Sequence, residues 1–391
     1  MFTPILFDKL QFIIYIPSMR TLLLFVLLAL LFTACQSTQR VEEATLLLPK
    51  GHTYNRQWQA ARWVMGNDTF TVEVKGRGHS TFRKPKHPYD LRFASKQSLS
   101  GLPAHRHFTL LANFFDHSLL RNALAMEVAR QTSLASVTPQ WRFLSLHVNG
   151  EWQGVYWLSE RQKSKVPDTD SLLKLDVYHW QVQQQKGLPL DTLPKAVRID
   201  SLSFADWWIV NEICMNAEPN GPRSCYVRIS RDSVIHAGPV WDFDMAFNEL
   251  GVDDGGDLRP LKFKTMHQLP PFLQGKTIRW LSVDSFYADR SLIINDLLQD
   301  VRFRQLVANR WRLLRPRFAR LLPQLNAWQR QLKHLGELDQ QQWNALEPAR
   351  FDASTSWTEA VKRLRQVYRQ RLRGLDKLQF IHTKLYRVPK S

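Results

Sequence analysis

An α+β fold, β-rich in its first part and helical in its second, follows from three features of the sequence. Two stretches, Gln57 to Lys75 and Arg142 to Glu160, alternate apolar and polar residues around turn-forming residues. An apolar run, Val234 to Val240, ends on the acidic pair Asp242 and Asp244. From Leu281 onward apolar residues recur at helical spacing with arginines between them, as in 302–322. Period-2 patterning marks half-buried strands, and a period near 3.6 marks amphipathic helices. With 391 residues, 44% of them hydrophobic and 14 tryptophans, the chain can fill the core of two lobes or domains.

Residues 19–35 read as a bacterial lipoprotein signal. Arg20 supplies the positive end, Leu22 to Phe32 the apolar stretch, and Thr33-Ala34-Cys35 the cleavage site. The segment is too short for a stable membrane span. Met19 is the expected start and Cys35 the expected lipidation site. Gln36 stands where an aspartate would retain a lipoprotein at the inner membrane, so a lipid anchor in the outer membrane of the cell envelope is expected.

Beyond it, Gln57–Met65 and Thr69–Lys75 flank the turn Gly66-Asn67-Asp68. A glycine loop spans 76–81 and a short strand 88–93. A helix is expected over 117–131, capped by Asp116 or Ser118. Asn149-Gly150 then turns the second hairpin. Residues 161–200 are polar and weakly patterned. The helix from about Phe204 to Met215 carries Ser203-x-x-Asp206, which reads as a capping box. The C-terminal helices are expected to break near Pro323 and over 347–355.

The net charge of +18 raises a nucleic-acid partner, which the export signal and the lack of an aromatic–basic stripe on any strand argue against. Cys214 and Cys225 are expected as buried thiols, and no zinc-type spacing occurs. Asp242 and Asp244, two apart at the end of a β-run, should face one point, with Trp241 and Phe243 directed away. Converging carboxylates repel unless a cation lies between them, and an oxygen-only pair suits Mg²⁺ carrying a nucleotide phosphate. Gly76 and Gly78 fit either a phosphate-binding loop, whose backbone N–H groups face the anion, or an ordinary strand turn.

Four blocks carry a family resemblance: RGHSTFRKPKHPYDLRF, HFTLLANFFDHSLLRNALAMEVAR, FLSLHVNGEWQGVYWLSE and IVNEICMNAEPNGPRSCYV with GPVWDFDMAF. In this order they resemble the spore coat protein CotH kinase-like family over roughly residues 70–250. The resemblance implies a bilobal protein-kinase-like fold that binds Mg-ATP and, in some members, phosphorylates coat proteins. The implied boundaries are a tether and first strand over 36–68, the β-rich lobe over 69–160, the catalytic core over 161–260 and a helical extension over 261–391.

The resemblance also implies roles. Gly76, Gly78 and Ser80 would cover the phosphates. Arg92 stands where a lysine grips them, with Lys84 and Lys86 as alternatives, and Glu127 would be its partner. Glu160 would mark the hinge against adenine. Glu218 stands for the catalytic aspartate and Ser224 for the metal-binding asparagine, with Asn216 and Asn220 as other candidates. Asp242 and Asp244 would bind the metal, Asp242 at the centre of catalysis. Because lysine, aspartate and asparagine of the usual pattern are all replaced, a catalytically silent envelope protein used for interaction is the alternative.

Overall fold

The computed structural model describes residues 40–161, 170–174, 198–216, 218–220, 224–247, 250–254, 257–260, 277–280, 286–288, 292–344 and 354–378, with Pro167. The lipoprotein signal, Cys35 and Gly221 to Arg223 lie outside the described residues. No described helix is long and apolar enough to cross a membrane.

The β-rich part consists of β1 (Glu42–Leu47), β2 (Gln59–Met65), β3 (Asp68–Gly76), β4 (Tyr89–Gln97), β5 (His105–Leu111), β6 (Trp141–Val148) and β7 (Glu151–Glu160). Both expected hairpins form: Met65 pairs with Asp68, and Asn149 and Gly150 turn β6 into β7 at positive φ. The strands close into a barrel in the order β1-β2-β3-β4-β5-β7-β6. Closure depends on β1, which lies in the expected tether and pairs parallel to β6, Ala44 opposite Leu146. It removes the open edges that a sheet would otherwise expose. Alternate residues, among them Trp63, Val72, Val74, Leu91, Phe93, Phe108, Leu110 and Leu158, fill the barrel interior.

The outward residues of β5, β6 and β7, including Leu111, Phe143 and Trp157, belong to a second core shared with the helices. Between β5 and β6 runs α1 (Arg121–Arg130). It starts later than expected because Asp116 and Ser118 build the turn before it: Asp116 accepts the N–H groups of Ser118 and Arg121 at 2.9 and 2.8 Å. After β8 (Ser171–Lys174) and β9 (Arg198–Ile199) comes α2 (Ser201–Ile213). Its cap is Asp200, which accepts from Leu202 and Ser203. Asp206 is therefore not the expected capping-box residue; it lies a full turn inside the helix. Fully buried, it takes a bidentate pair from Arg310 at 2.8 and 2.7 Å and the N–H of Ser133 at 2.8 Å.

β10 (Tyr226–Ile229) and β11 (Val234–Ala237) form the strand pair before the acidic turn, β11 ending three residues short of the expected run. A small sheet of β12 (Leu250–Asp254), β13 (Asp257–Pro260) and β14 (Thr277–Trp280) follows, which the sequence pattern did not suggest. Then come α3 (Leu292–Gln299), α4 (Val301–Ala319), α5 (Leu321–Asn344) and α6 (Trp357–Gly374). The break expected at Pro323 falls at Arg320, which leaves the proline in the first turn of α5, where its missing N–H costs nothing.

Two buried ion pairs fasten these helices. Asp339 of α5 reaches the Lys86 ammonium at 2.6 Å and the Val155 N–H of β7 at 2.6 Å. Gly154, at φ 101°, leaves the space: a Cβ there would collide with the Asp339 carboxylate. Glu212 of α2 takes Arg371 of α6 at 2.7 Å and the N–H groups of Tyr287 and Ala288. Cys214 and Cys225 are buried free thiols, as expected.

Candidate functional site

The acidic turn is built by a reversal of the chain rather than by strand alternation. Asp242 sits at φ 70°, a left-handed conformation that aspartate tolerates better than most residues. Trp241, Phe243 and Asp244 are buried while Asp242 is half-buried, so the two-on-one-face pattern expected of a strand does not apply. The carboxylates nevertheless interact. Burial pushes the Asp244 carboxyl well above its ordinary value; the negative charges of Asp242, Asp116 and Glu218 push it further, and Arg121 opposes them. The hydroxyl of Ser224 donates to Asp242 at 2.9 Å.

α1 holds this turn in place. Asn122 accepts the Phe243 N–H at 2.7 Å and donates to Asn113 at 3.0 Å. Arg121 lies 3.5 Å from Asp116 and 3.4 Å from the Asp244 carbonyl. From the glycine loop, Arg77 pairs with Asp90 of β4 at 3.2 Å and lies 5.8 Å from the Trp241 ring. The loop, α1 and the acidic turn therefore meet. A family model described as CotH kinase protein matches residues 72–196 and 195–375. The chain belongs to the CotH kinase family. No curated protein gives a significant match.

The residues expected to serve a CotH kinase fall into two groups. Asp242, Asp244, Ser224 and Glu218 are brought together, the first three through the contacts above. Glu218 opens a short 3-10 turn, Glu218–Asn220, close enough to raise both Asp244 and the Cys225 thiol. Asn216 is committed elsewhere: it donates to Asn211 at 2.8 Å and accepts the Glu218 N–H at 3.2 Å. The side chain of Asn220 lies outside the described residues.

The second group is placed differently from expectation. Arg92 does not pair with Glu127. It forms a bidentate pair with Glu73, its cross-strand neighbour on β3, at 2.6 and 2.8 Å. Glu127 instead meets Arg130, one turn on, at 3.3 Å, and burial raises its carboxyl above the ordinary value. The alternative Lys86 is buried against Asp339. Lys84 lies 5.5 Å from the Phe115 ring.

Gly76 donates its N–H to the Asn55 carbonyl at 2.6 Å and Arg77 to that of Pro88 at 3.2 Å, so these two groups serve the fold and do not face an anion. A Cβ on Gly76 would approach the Tyr54 and Phe82 rings to 2.7 Å, which explains the glycine by packing. Gly78 is required by its φ of 85°, and Ser80 is exposed at the start of a 3-10 turn. The Glu160 side chain is buried, accepting from the Gln140 N–H at 2.9 Å and meeting His105 at 3.1 Å. Asp116, Arg121, Asn122 and Arg77 also meet at the acidic turn and were not among the residues expected there. Three of the four lie in the block around FFDHSLLRNALA, where Asp116 had been read only as a cap.

A resident divalent cation fits the donor set in one way. Among the described residues no three His, Cys, Asp or Glu side chains form a metal cage of their own. Mg²⁺ commonly takes one or two carboxylates and completes its shell with water and substrate phosphates. Asp242 and Asp244 supply such a pair of hard oxygens, with the Ser224 hydroxyl beside them.

Proposed function

We propose that this CotH-family chain binds Mg-ATP over the acidic turn, between the barrel as a β-rich lobe and the helices as a second lobe, and phosphorylates a protein hydroxyl. The observation that carries the reading is Asp244, a carboxylate buried beside Asp242 and within the field of Asp116 and Glu218. The charges of Asp242, Asp116 and Glu218 act on it, with Arg121 opposing them. Such crowding is costly in a resting protein and is characteristic of sites that take a ligand. Bound Mg²⁺ would supply compensation of the phosphate charge. Asp242 and Asp244 hold that cation, Ser224 keeps Asp242 in place, and Asn122 fixes the backbone of the turn. Arg77 is the glycine-loop cation nearest the turn. In transfer, the acceptor oxygen bonds to the terminal phosphorus as its bond to the bridging oxygen breaks, ADP leaves, and Glu218 takes the hydroxyl proton. Lipidation at Cys35 would place the protein in the outer membrane, with an envelope protein as substrate.

Calorimetry with Mg-ATP tests the assignment. Asp242→Asn should lose affinity for the nucleotide. Glu218→Gln should keep it and lose transfer by about 10²–10⁴ in rate. Unchanged Mg-ATP affinity in Asp242→Asn would remove the metal role. A silent, interaction-only protein is the second reading, and one observation favours it: Arg92 and Lys86 are both engaged by carboxylates, Lys86 inside the protein. Wild type that binds ATP but labels no envelope fraction would decide for it.

A further inference from the structure

A second concentration of charge lies on the outward face of β3, β4 and β5. Val72, Val74, Leu91, Phe93 and Phe108 point into the barrel, so alternation turns Glu73, Lys75, Arg92 and His107 outward. Glu73, Arg92 and His107 form one cross-strand row. Trp58, just ahead of β2, lies against this face. The Lys75 ammonium is 4.7 Å from its ring, the Arg92 guanidinium 4.5 Å, and the His107 ring 6.4 Å. Cation–π contact of this kind pins the two flexible cations in place. Arg106 and Arg161 add to the field: after burial, the charges of Arg161, Arg92 and Arg106 hold the His107 imidazole below its ordinary value, with Asp90 opposing them. Asp90 is already matched by Arg77 at 3.2 Å and Thr109 at 2.9 Å. That leaves Glu73 as the carboxylate of the row, set against Lys75, Arg92 and Arg161; Arg106, two positions before Phe108, is on the other side of β5 and donates to the Phe93 carbonyl at 3.3 Å.

We propose that this face docks an acidic segment of a partner protein and, resting on the kinase reading above, that the segment belongs to the phosphoryl acceptor. The row Lys75, Asp90, Thr109 runs beside the patch, and Arg77 joins Asp90 to Trp241 of the acidic turn. The patch therefore lies on the same strands as the loop whose Arg77 reaches the acidic turn, although Asp90 and Thr109 between them are buried. An acidic peptide fits better than an anionic bilayer. Trp58 has cations against its ring and is not presented for insertion. None of the exposed large apolar side chains among the described residues, Ile199, Leu202, Val301, Leu313 and Leu338, belongs to this face.

The test uses the full chain without nucleotide and a fluorescent glutamate-rich peptide carrying one serine, beside its glutamine-rich counterpart. The acidic peptide should bind, more weakly as salt rises. Lys75→Gln with Arg161→Gln should weaken it roughly tenfold, each charge contributing a small factor. Arg312→Gln with Arg317→Gln, which removes the same charge from exposed positions of α4, should leave it unchanged. The His107 resonance should titrate at higher pH with peptide bound, since a nearby carboxylate favours the imidazolium. Equal binding of the glutamine peptide, an equal effect of the α4 variants, an unmoved His107 titration, or capture of anionic vesicles without capture of the peptide would each overturn the proposal. Because no nucleotide is present, the result is independent of the ATP calorimetry of Asp242→Asn, and either reading can fail alone.

Discussion

The buried ion pairs of the helical part and the buried acids at the turn are made of the same groups and do opposite things. Lys86 with Asp339 and Glu212 with Arg371 are closed sets, in which each carboxylate also accepts backbone N–H groups. The turn is the open case: Asp116 is itself bonded to the N–H groups of Ser118 and Arg121, and with Asp242 and Glu218 it acts on the buried Asp244 carboxyl, against Arg121. A closed set fixes where helices sit. On the function proposed above, a bound cation would relieve the charge of an open one.

The largest effect should come from breaking a closed set. Asp339→Ala leaves the Lys86 ammonium buried with no carboxylate partner at hydrogen-bond distance. Loss of one member of a buried pair costs about 3–5 kcal/mol. Urea unfolding should register that loss. The double variant Lys86→Met with Asp339→Leu should recover most of it, because apolar groups of similar volume replace such pairs at little cost. If Asp339→Ala unfolds at the wild-type midpoint, the pair does not fasten α5 to the barrel.

Opening the other set should act in the reverse direction. Asp244→Asn removes one of the crowded charges and should stabilise the metal-free protein by about 1 kcal/mol, the usual gain from relieving a functional site. The pH dependence follows from the raised Asp244 carboxyl. Between its ordinary value of 3.8 and its higher folded value, the folded state binds more protons than the unfolded one. Stability of the metal-free protein therefore falls as pH rises through that window, and stays low above the folded value. Mg²⁺ should flatten the dependence in wild type and not in Asp244→Asn, as thermal melts across pH would show. Wild type whose melting is insensitive to Mg²⁺ at all pH values would mean that the acids are not a cation site.

Local chemistry was legible in the sequence, and distant pairing was not. Gly66-Asn67-Asp68 and Asn149-Gly150 set both hairpins, because turn residues act within a few positions. The acidic turn was found, although its two carboxylates meet through a left-handed Asp242 that strand periodicity cannot express. β1 was not expected because its place is set by two partners, β2 and the parallel β6 about a hundred residues on, rather than by a local turn signal. Lys86 and Asp339 are 253 positions apart, so nothing local marks them as partners. Asp206 misled because Ser203-x-x-Asp206 satisfies a capping pattern, while Asp200, three residues earlier, takes the N–H groups. Arg92 was expected to meet Glu127 because a carboxylate on the apolar stripe of Leu120 and Leu124 needs a cation, whereas the β3–β4 register puts Glu73 directly opposite Arg92.

That last pair gives the smallest effect and the finest division between closed and open charge. Glu73 and Arg92 lie at the surface, where an ion pair contributes little, so Glu73→Gln should leave the unfolding midpoint where it is. Its consequence should appear in binding. Glutamine at position 73 can still accept one hydrogen bond, but the Arg92 guanidinium loses its bidentate charged partner and, held then mainly by Trp58, turns more readily toward a phosphate. Affinity for Mg-ATP should then rise, roughly threefold for one released surface charge. An unchanged affinity would mean that Arg92 belongs with the docking face and Trp58 rather than with the nucleotide. The acidic-peptide assay would then show the effect instead, because removing Glu73 takes away the one carboxylate that opposes the row.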